Sequence, residues 1–416
     1  MSAASLTFDV LKTAVAGSAA AFRLTLRLEA VSPKVFPPTY ESGTYAEEKR
    51  RIPGHTEAVP CVLLDSVASQ ANRMEMALQD AVDGGVVTLP VVAVDFSKVN
   101  NPGVPKITSL QAPHRIVDAI LRDSMTADKK KFRESDIGKE LELLANAYAT
   151  PLLKYAPHCL VFGIWDSTGP KGGLGVKFAR ALVSEIIGVN VVKGVKTSSR
   201  IDPLNISAHI KIYRNKHDPE DWTPLIEEAE VDGKAKTPVL FSNRNQPDKK
   251  KIGKPAAVLH GNIKPTISDG GFTIEYAEQC TVLSLPALRR LRFPAESGKK
   301  SSPESDNAAR TYLAALGLLG ATLAVASGCD LRSRCLLHAK NFAEWHLLGK
   351  PGDADTPYTL DKAGAVKLYE NALAAVQKCG LEPHLDEIIL TPTDKLIHLV
   401  TESMKGRGAE AEEVSQ

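Results

Sequence analysis

The residues best placed to do chemistry lie in Cys61-Val-Leu-Leu-Asp65-Ser66-Val67-Ala-Ser69-Gln70-Ala71-Asn72-Arg73-Met74-Glu75. Turned about 100° per residue from Val67, Ala71, Met74 and Leu78 fall on one apolar stripe. Ser69, Asn72 and Arg73 fall on the opposite face, and Gln70 lies on its flank. A merely solvated face would carry Lys and Glu. This cluster is hydroxyl, amide and a single guanidinium, groups that suit the oxygens of a sugar-phosphate backbone. The competing reading is an ordinary amphipathic helix. Asp65 and Ser66 serve as caps, fed by the apolar run Val62-Leu63-Leu64.

A second candidate is Gly169-Pro170-Lys171-Gly172-Gly173-Leu174-Gly175. A Walker A loop would end in Gly-Lys-Ser/Thr, and Gly175-Val176-Lys177 does not; the dinucleotide pattern fails because Phe178 stands where its last glycine belongs. What remains is close approach of a phosphate to a small-residue backbone, with the N-terminus of a following helix as the anion site. That helix is expected over Val176 to Ile187, with Phe178, Leu182 and Ile186 inward and Lys177, Arg180 and Ser184 outward. Lys171, Lys177 and Arg180 supply charge; a plain flexible turn is the alternative. Lys193, Lys196, Ser198, Ser199 and Arg200 offer further donors to phosphate and ribose oxygens, unless Arg200 is held in an ion pair with Asp202 or another acid. Arg50 and Arg51, beside Lys49, form one of four short basic stretches.

No catalytic set stands out. There is no Gly-x-Ser-x-Gly elbow, no His-Glu-x-x-His, and no paired-carboxylate motif. Asp166, at a strand end, could in principle ligate a metal. The six cysteines form no Cys-x-x-Cys pair, and Cys329, Cys335 and His338 have an odd spacing without a clear fourth ligand. Neither a metal nor a cofactor is expected. A net charge of only +2 excludes a histone-like polycation, so any nucleic-acid surface must come from local clusters of Lys and Arg. Aromatic residues are 6% of the chain, which argues against binding dominated by base stacking.

These side chains must be positioned by an α+β scaffold. Phe22 to Glu29 alternates with the period of a half-buried strand. Val86 to Phe96 reads as another, at an edge or starting after Pro90. His158 to Trp165 is expected to be a strand, as is Arg334 to His338. Helices are expected near Ile116–Arg122, Ile137–Ala147 and Leu360–Gln377, and in the Ala/Leu-rich stretch Tyr312 to Ala326. The last of these is too short for a membrane crossing and reads as buried. With no signal-like N-terminal segment, the expected location is cytoplasmic. The pattern fits a ferredoxin-like or RNA-recognition-type sandwich with long insertions. The organisation expected is an N-terminal segment 1–19 and a core 20–340 interrupted near 32–60, 97–157, 213–256 and 294–307. A C-terminal extension 341–401 and a loose tail 402–416 complete it. The insertion 213–256 includes Asn243-Arg244-Asn245-Gln246-Pro247; the loop 294–307 is expected to be disordered.

Five stretches in order resemble one family: the Cys61 to Glu75 segment; Gly163-Ile-Trp165-Asp166-Ser167-Thr168-Gly169; Ser198-Ser199-Arg200-Ile201-Asp202-Pro203; Gly261-Asn262-Ile-Lys264-Pro265; and Leu283-Ser284-Leu285-Pro-Ala-Leu288-Arg289-Arg290-Leu291. Together they resemble the backbone subunit of type I-G (formerly I-U) CRISPR effector complexes, a branch of the RAMP superfamily. The resemblance spans about residues 20 to 340. It implies a palm core with finger- and thumb-like insertions, and a non-catalytic subunit that polymerises along CRISPR RNA. It places Asn262 and Lys264 among the RNA contacts with the residues above. The implied partners are the guide RNA, a target DNA strand paired to it, further copies of the chain head to tail, the large subunit and the repeat-processing subunit; no membrane is implied. Two rivals stay open: an RNA-processing endonuclease of the same superfamily, and a free-standing RNA-binding module.

Overall fold

Alternation near the N-terminus does what its period requires. Ala21–Ala30 forms strand β1, burying Phe22, Leu24, Leu26 and Leu28 while Thr25 and Arg27 face solvent. Each such side chain contributes roughly 1.5–3 kcal/mol when fully buried. The computed structural model describes residues 3–99, 105–166, 176–242, 250–341 and 343–415. It divides into two units, Met1–Val192 with Phe272–Glu402, and Lys193–Gly271 with Ser403–Gln416.

After β1 come β2 (Glu47–Arg50), β3 (Val59–Asp65), α1 (Val67–Asp83), α2 (His158–Phe162), β4 (Ile164–Trp165), β5 (Lys177–Phe178) and β6 (Leu182–Val189). Next are β7 (Val192–Arg200), β8 (Ile263–Thr273), β9 (Tyr276–Ser284), α3 (Pro303–Ala326), β10 (Cys329–Asp330) and β11 (Leu336–Ala339). The chain closes with β12 (Glu344–Leu348), α4 (Lys362–Lys378) and α5 (Asp394–Ser415). The fold is mixed α and β. Its main sheet runs β12-β1-β9-β6-β3-β2, with β11 also paired to β1 and Thr356–Thr359 outside β12. All the pairings around β1, β9 and β6 are antiparallel. Between Ile186 and Ile187 the β3–β6 register slips: Ile186 faces Asp65 but Ile187 faces Leu63. A bulge of this kind re-aims a side chain, and Leu64 and Asp65 are both buried in succession.

α1 is capped by Ser66, whose Oγ accepts from Ser69 N, and its expected stripe of Ala71, Met74 and Leu78 is buried. α3 is capped by Ser302 with Pro303 in its first turn, where the missing N–H is harmless. It packs on α1, α2 and α4 and is buried on nearly every face, a core helix of unit 1. Gly317 and Gly320 permit its close approach. A Cβ on Gly320 would lie 3.2 Å from Leu78 Cδ1, and one on Gly317 3.1 Å from Val161 Cγ1.

Several expectations fail for physical reasons. Val176 to Ile187 is not a helix but β5 and the central strand β6. Phe178, Leu182 and Ile186 are spaced by four, which places them on one face of either element, so their spacing could not decide. Ser184, expected to project outward, shares the buried face of β6. His158 to Trp165 is mostly helix: α2 ends at Gly163, whose φ of 85° lies in the left-handed region. An unbroken apolar run carries no period to tell the two apart. Of the two alternatives for the strand near Val86 to Phe96, the start beyond Pro90 holds: it begins at Val92 and, with neighbours on both sides, is not an edge. The loop 294–307 ends early because α3 starts at Pro303. Asn100 to Gly103 and Asn243 to Pro247 lie outside the described residues.

Gly320→Val should overpack the α1–α3 contact and lower stability by about 1–3 kcal/mol. A urea midpoint shift with unchanged slope would register it; an unchanged midpoint would show that the contact is loose.

Candidate nucleic-acid interface

Asp65 ends β3 with its side chain fully buried. A carboxylate in that position costs several kcal/mol unless donors surround it. They do. Ser69 Oγ donates at 2.8 Å, Gln70 Nε2 at 2.6 Å, Arg73 Nε at 2.9 Å and Arg332 Nη2 at 3.2 Å. The two arginines continue outward from it: Arg73 Nη2 donates to Leu331 O and Arg332 Nη1 to Leu64 O, each at 2.7 Å. Gln70 Oε1 accepts from Ser184 Oγ and Gln279 Nε2, both at 2.9 Å, and Ser184 meets Thr281 at 2.8 Å. One polar network thus joins α1 to β6 and β9.

This corrects the helical-wheel picture. Gln70 is 4% exposed and spent on both sides of its amide, so it is unavailable to a ligand. Ser69 and Arg73 turn toward Asp65. Asn72 is exposed, and Arg73 keeps 36% of its side chain in solvent. These two border a cleft of about 550 Å³ between α1, the end of α3 and β11, floored by Leu26 and Leu28. Arg332 was missed by sequence reasoning: it lies 267 positions from its partner, in a turn with no periodic signal. The buried acid at the strand end was the available clue, since it requires a cation from somewhere.

Arg50 is likewise committed: Nη1 and Nη2 pair with Glu185 at 2.5 and 3.3 Å, and Nε donates to Glu48 at 2.7 Å. Those carboxylates hold its guanidinium well above the usual range, Glu185 most of all. Arg51 is exposed. Lys171 and the glycine-rich stretch lie outside the described residues. The described chain resumes at Val176 and enters strand β5, so the helix expected over Val176 to Ile187 is absent among the described residues. Lys177 and Arg180 are both exposed.

In unit 2, the two-stranded ribbon β7–β8 carries the remaining candidates. Lys196, Ser199 and Lys264 are exposed; Ser198 Oγ sits 2.9 Å from Thr266 Oγ1. Arg200 donates to the Leu259 carbonyl, a different anchor from the acid expected. Asp202 instead accepts from Gly261 N at 2.7 Å, the contact that does most to hold its carboxyl below the usual range, while its own N–H donates to Asn262 Oδ1 at 2.6 Å. Asn262 therefore organises the turn before β8, and the exposed lysines are the groups left facing outward.

Other charged groups are buried in unit 1. Arg115 forks onto Glu75 at 2.7 and 2.8 Å and donates to Gly163 O at 3.0 Å. Burial pushes the Glu75 carboxyl up and Arg115 pulls it back. His158 is fully enclosed, which with the Arg115 charge pushes its imidazole down to about 3. The neutral ring donates from Nε2 to Ser109 O at 3.1 Å, since a carbonyl can only accept. Asp166 meets Arg133 through both oxygens, at 3.0 and 3.1 Å. Among the described residues no group of three His, Cys, Asp or Glu side chains is arranged to hold a metal.

Arg73→Ala should destabilise the fold by about 1–3 kcal/mol through the exposed flank of a buried carboxylate, and Arg73→Lys should recover only part. Chemical denaturation of both variants, and of Arg73→Ala with Arg332→Ala, reads the coupling; additive effects would mean that the two cations do not share Asp65.

The His158 prediction rests on proton uptake. Folded His158 titrates near 3 and the unfolded residue near 6.5, so the unfolded chain binds more protons between those values. Stability contributed by the neutral ring is present above pH 6.5 and falls as pH drops toward 3, by up to about 1.4 kcal/mol per pH unit. His158→Gln should flatten the pH profile of the melting temperature across that window; an unaltered profile would put the ring in solvent.

Residues 24–193 match the family described as CRISPR-associated protein GSU0053, a span from inside β1 to the start of β7 and less than half of the chain. No curated protein matches the chain. Among solved structures it is similar to Csc2 of Thermofilum pendens at 11% identity and a TM-score of 0.26, over 89% of this chain and 80% of that one. A score that low carries no structural argument. Over residues 24–193, which carry Asp65 and its donors from α1 but not Gln279 or Arg332, the chain is similar to a CRISPR-associated family.

Proposed function

We propose that this chain is a non-catalytic backbone subunit of a type I-G CRISPR effector complex in the cytoplasm, gripping the sugar-phosphate backbone of the guide RNA. The observation that carries the reading is the match of residues 24–193 to a CRISPR-associated family. Strand order supports the finer fold. Strands β1, β6, β9 and β11, with α1 lying between β1 and β6 and α3 between β9 and β11, follow the βαββαβ sequence and the 4-1-3-2 order of a ferredoxin-like palm.

The surface best suited to RNA is the β7–β8 ribbon. All of β7 but Gly194 is exposed, a solvated display of Lys196, Ser199 and, from β8, Lys264. Cations and hydroxyls of this kind contact phosphate and ribose and leave bases free to pair with a target DNA strand. Further copies head to tail, a large subunit and a repeat-processing subunit complete the proposed assembly. The endonuclease rival is less favoured because His158 is enclosed and neutral, and Asp166 is committed to Arg133.

Co-expression with a repeat–spacer RNA, then gel filtration with the 260/280 ratio, tests this. RNA-bearing species that resist added ribonuclease in regular footprints are expected. Lys196→Ala and Lys264→Ala should each reduce the slope of log affinity against log salt by about 0.7. An RNA-free monomer, or cleavage that co-purifies with the protein, would sink the scaffold reading.

A further inference from the structure

The hairpin β4–β5 has two unlike faces. Its register pairs Ile164 with Phe178 and Trp165 with Lys177. Because side chains alternate across a strand, the first pair points one way and the second the other. Ile164 and Phe178 are 6% and 5% exposed, and Asp166 just beyond is clamped by Arg133. That inner face fixes the hairpin. Trp165 on the outer face is 55% exposed, whereas Trp345 is buried and Trp222 half-buried. Lys177 Nζ lies 5.8 Å from the centre of the Trp165 ring, and Arg180 is exposed with its stem against Gly163.

An indole in water is an uncommon use of a large apolar ring. With a cation over its ring and another near the hairpin, it has the two parts of a single-stranded nucleic-acid contact: a flat surface for a base and positive charge for the adjoining phosphate. We propose that Trp165 stacks one nucleobase of a single-stranded RNA while Lys177 contacts the phosphate beside it. This rests on the RNA-binding reading above and adds a stacking site to it. The charge favours a polyanion over an apolar protein partner, and the buried Ile164–Phe178 pair holds the ring in place before binding.

Tryptophan emission reads the contact directly. A 15-nucleotide oligouridine should quench the wild-type protein, and Trp165→Leu should abolish that quenching. By filter binding, Trp165→Leu should weaken affinity roughly tenfold or more, and Trp165→Phe should restore most of it. Lys177→Ala should keep the quenching at saturation but lower the salt slope by about 0.7. Unchanged melting temperatures would confirm that the variants are folded. Wild-type affinity in Trp165→Leu, with quenching retained, would overturn the stacking site and leave RNA binding standing. No binding by the wild-type protein would overturn both. An emission change caused by a co-expressed protein partner and not by RNA would also overturn it.

Discussion

A carboxylate sealed at the end of β3 decides how much of unit 1 is arranged. Asp65 cannot remain buried without donors, and its donors come from α1 and from the turn between β10 and β11. Gln70 and the two arginines each carry a second bond outward, to the Ser184–Gln279 pair and to the Leu331 and Leu64 carbonyls. The helix is thereby set on the sheet in one register. A solely apolar contact, being non-directional, would tolerate sliding. The bulge opposite Ile186 and Ile187 is what turns the Asp65 side chain into this position.

Arginine and lysine divide the labour. Arg50, Arg73, Arg115, Arg133, Arg289 and Arg332 all fork onto carboxylates or backbone carbonyls. Arg289 donates to the Ala14, Val15 and Ala19 carbonyls around the end of the helix Phe8–Ala16. A planar guanidinium with donors in a fixed fork suits such sites, while a strongly hydrated ammonium stays outside. Lys177, Lys196 and Lys264 are exposed accordingly. The outward-facing charge of this chain is therefore less than its count of basic residues suggests.

That division explains what the sequence made legible. Strand β1, the buried stripe of α1 and the core helix α3 announced themselves through period and composition, which act locally. The candidate site was half legible. The spacing of Ser69, Gln70, Asn72 and Arg73 located the polar cluster but not its direction, because the buried acid and Arg332 lie elsewhere in the chain. Phe178, Leu182 and Ile186 misled for a simpler reason, since a spacing of four satisfies two periods. Trp165 went unnoticed as a surface residue because composition counts aromatic residues without saying which of them are buried.

The pairing of β1 has a consequence for synthesis. Its neighbours in the sheet are β9 on one side and β11 and β12 on the other, and the first of these begins at Tyr276. Strand β1 therefore leaves the ribosome long before either flank exists. At about 5–20 residues per second the wait is on the order of 10–50 s. Throughout it, Phe22, Leu24, Leu26 and Leu28 present an unpaired apolar strand to solvent, the kind of segment that joins other nascent chains. Copies translated from one message bring such strands close together, so this strand order exposes the chain to association during its synthesis.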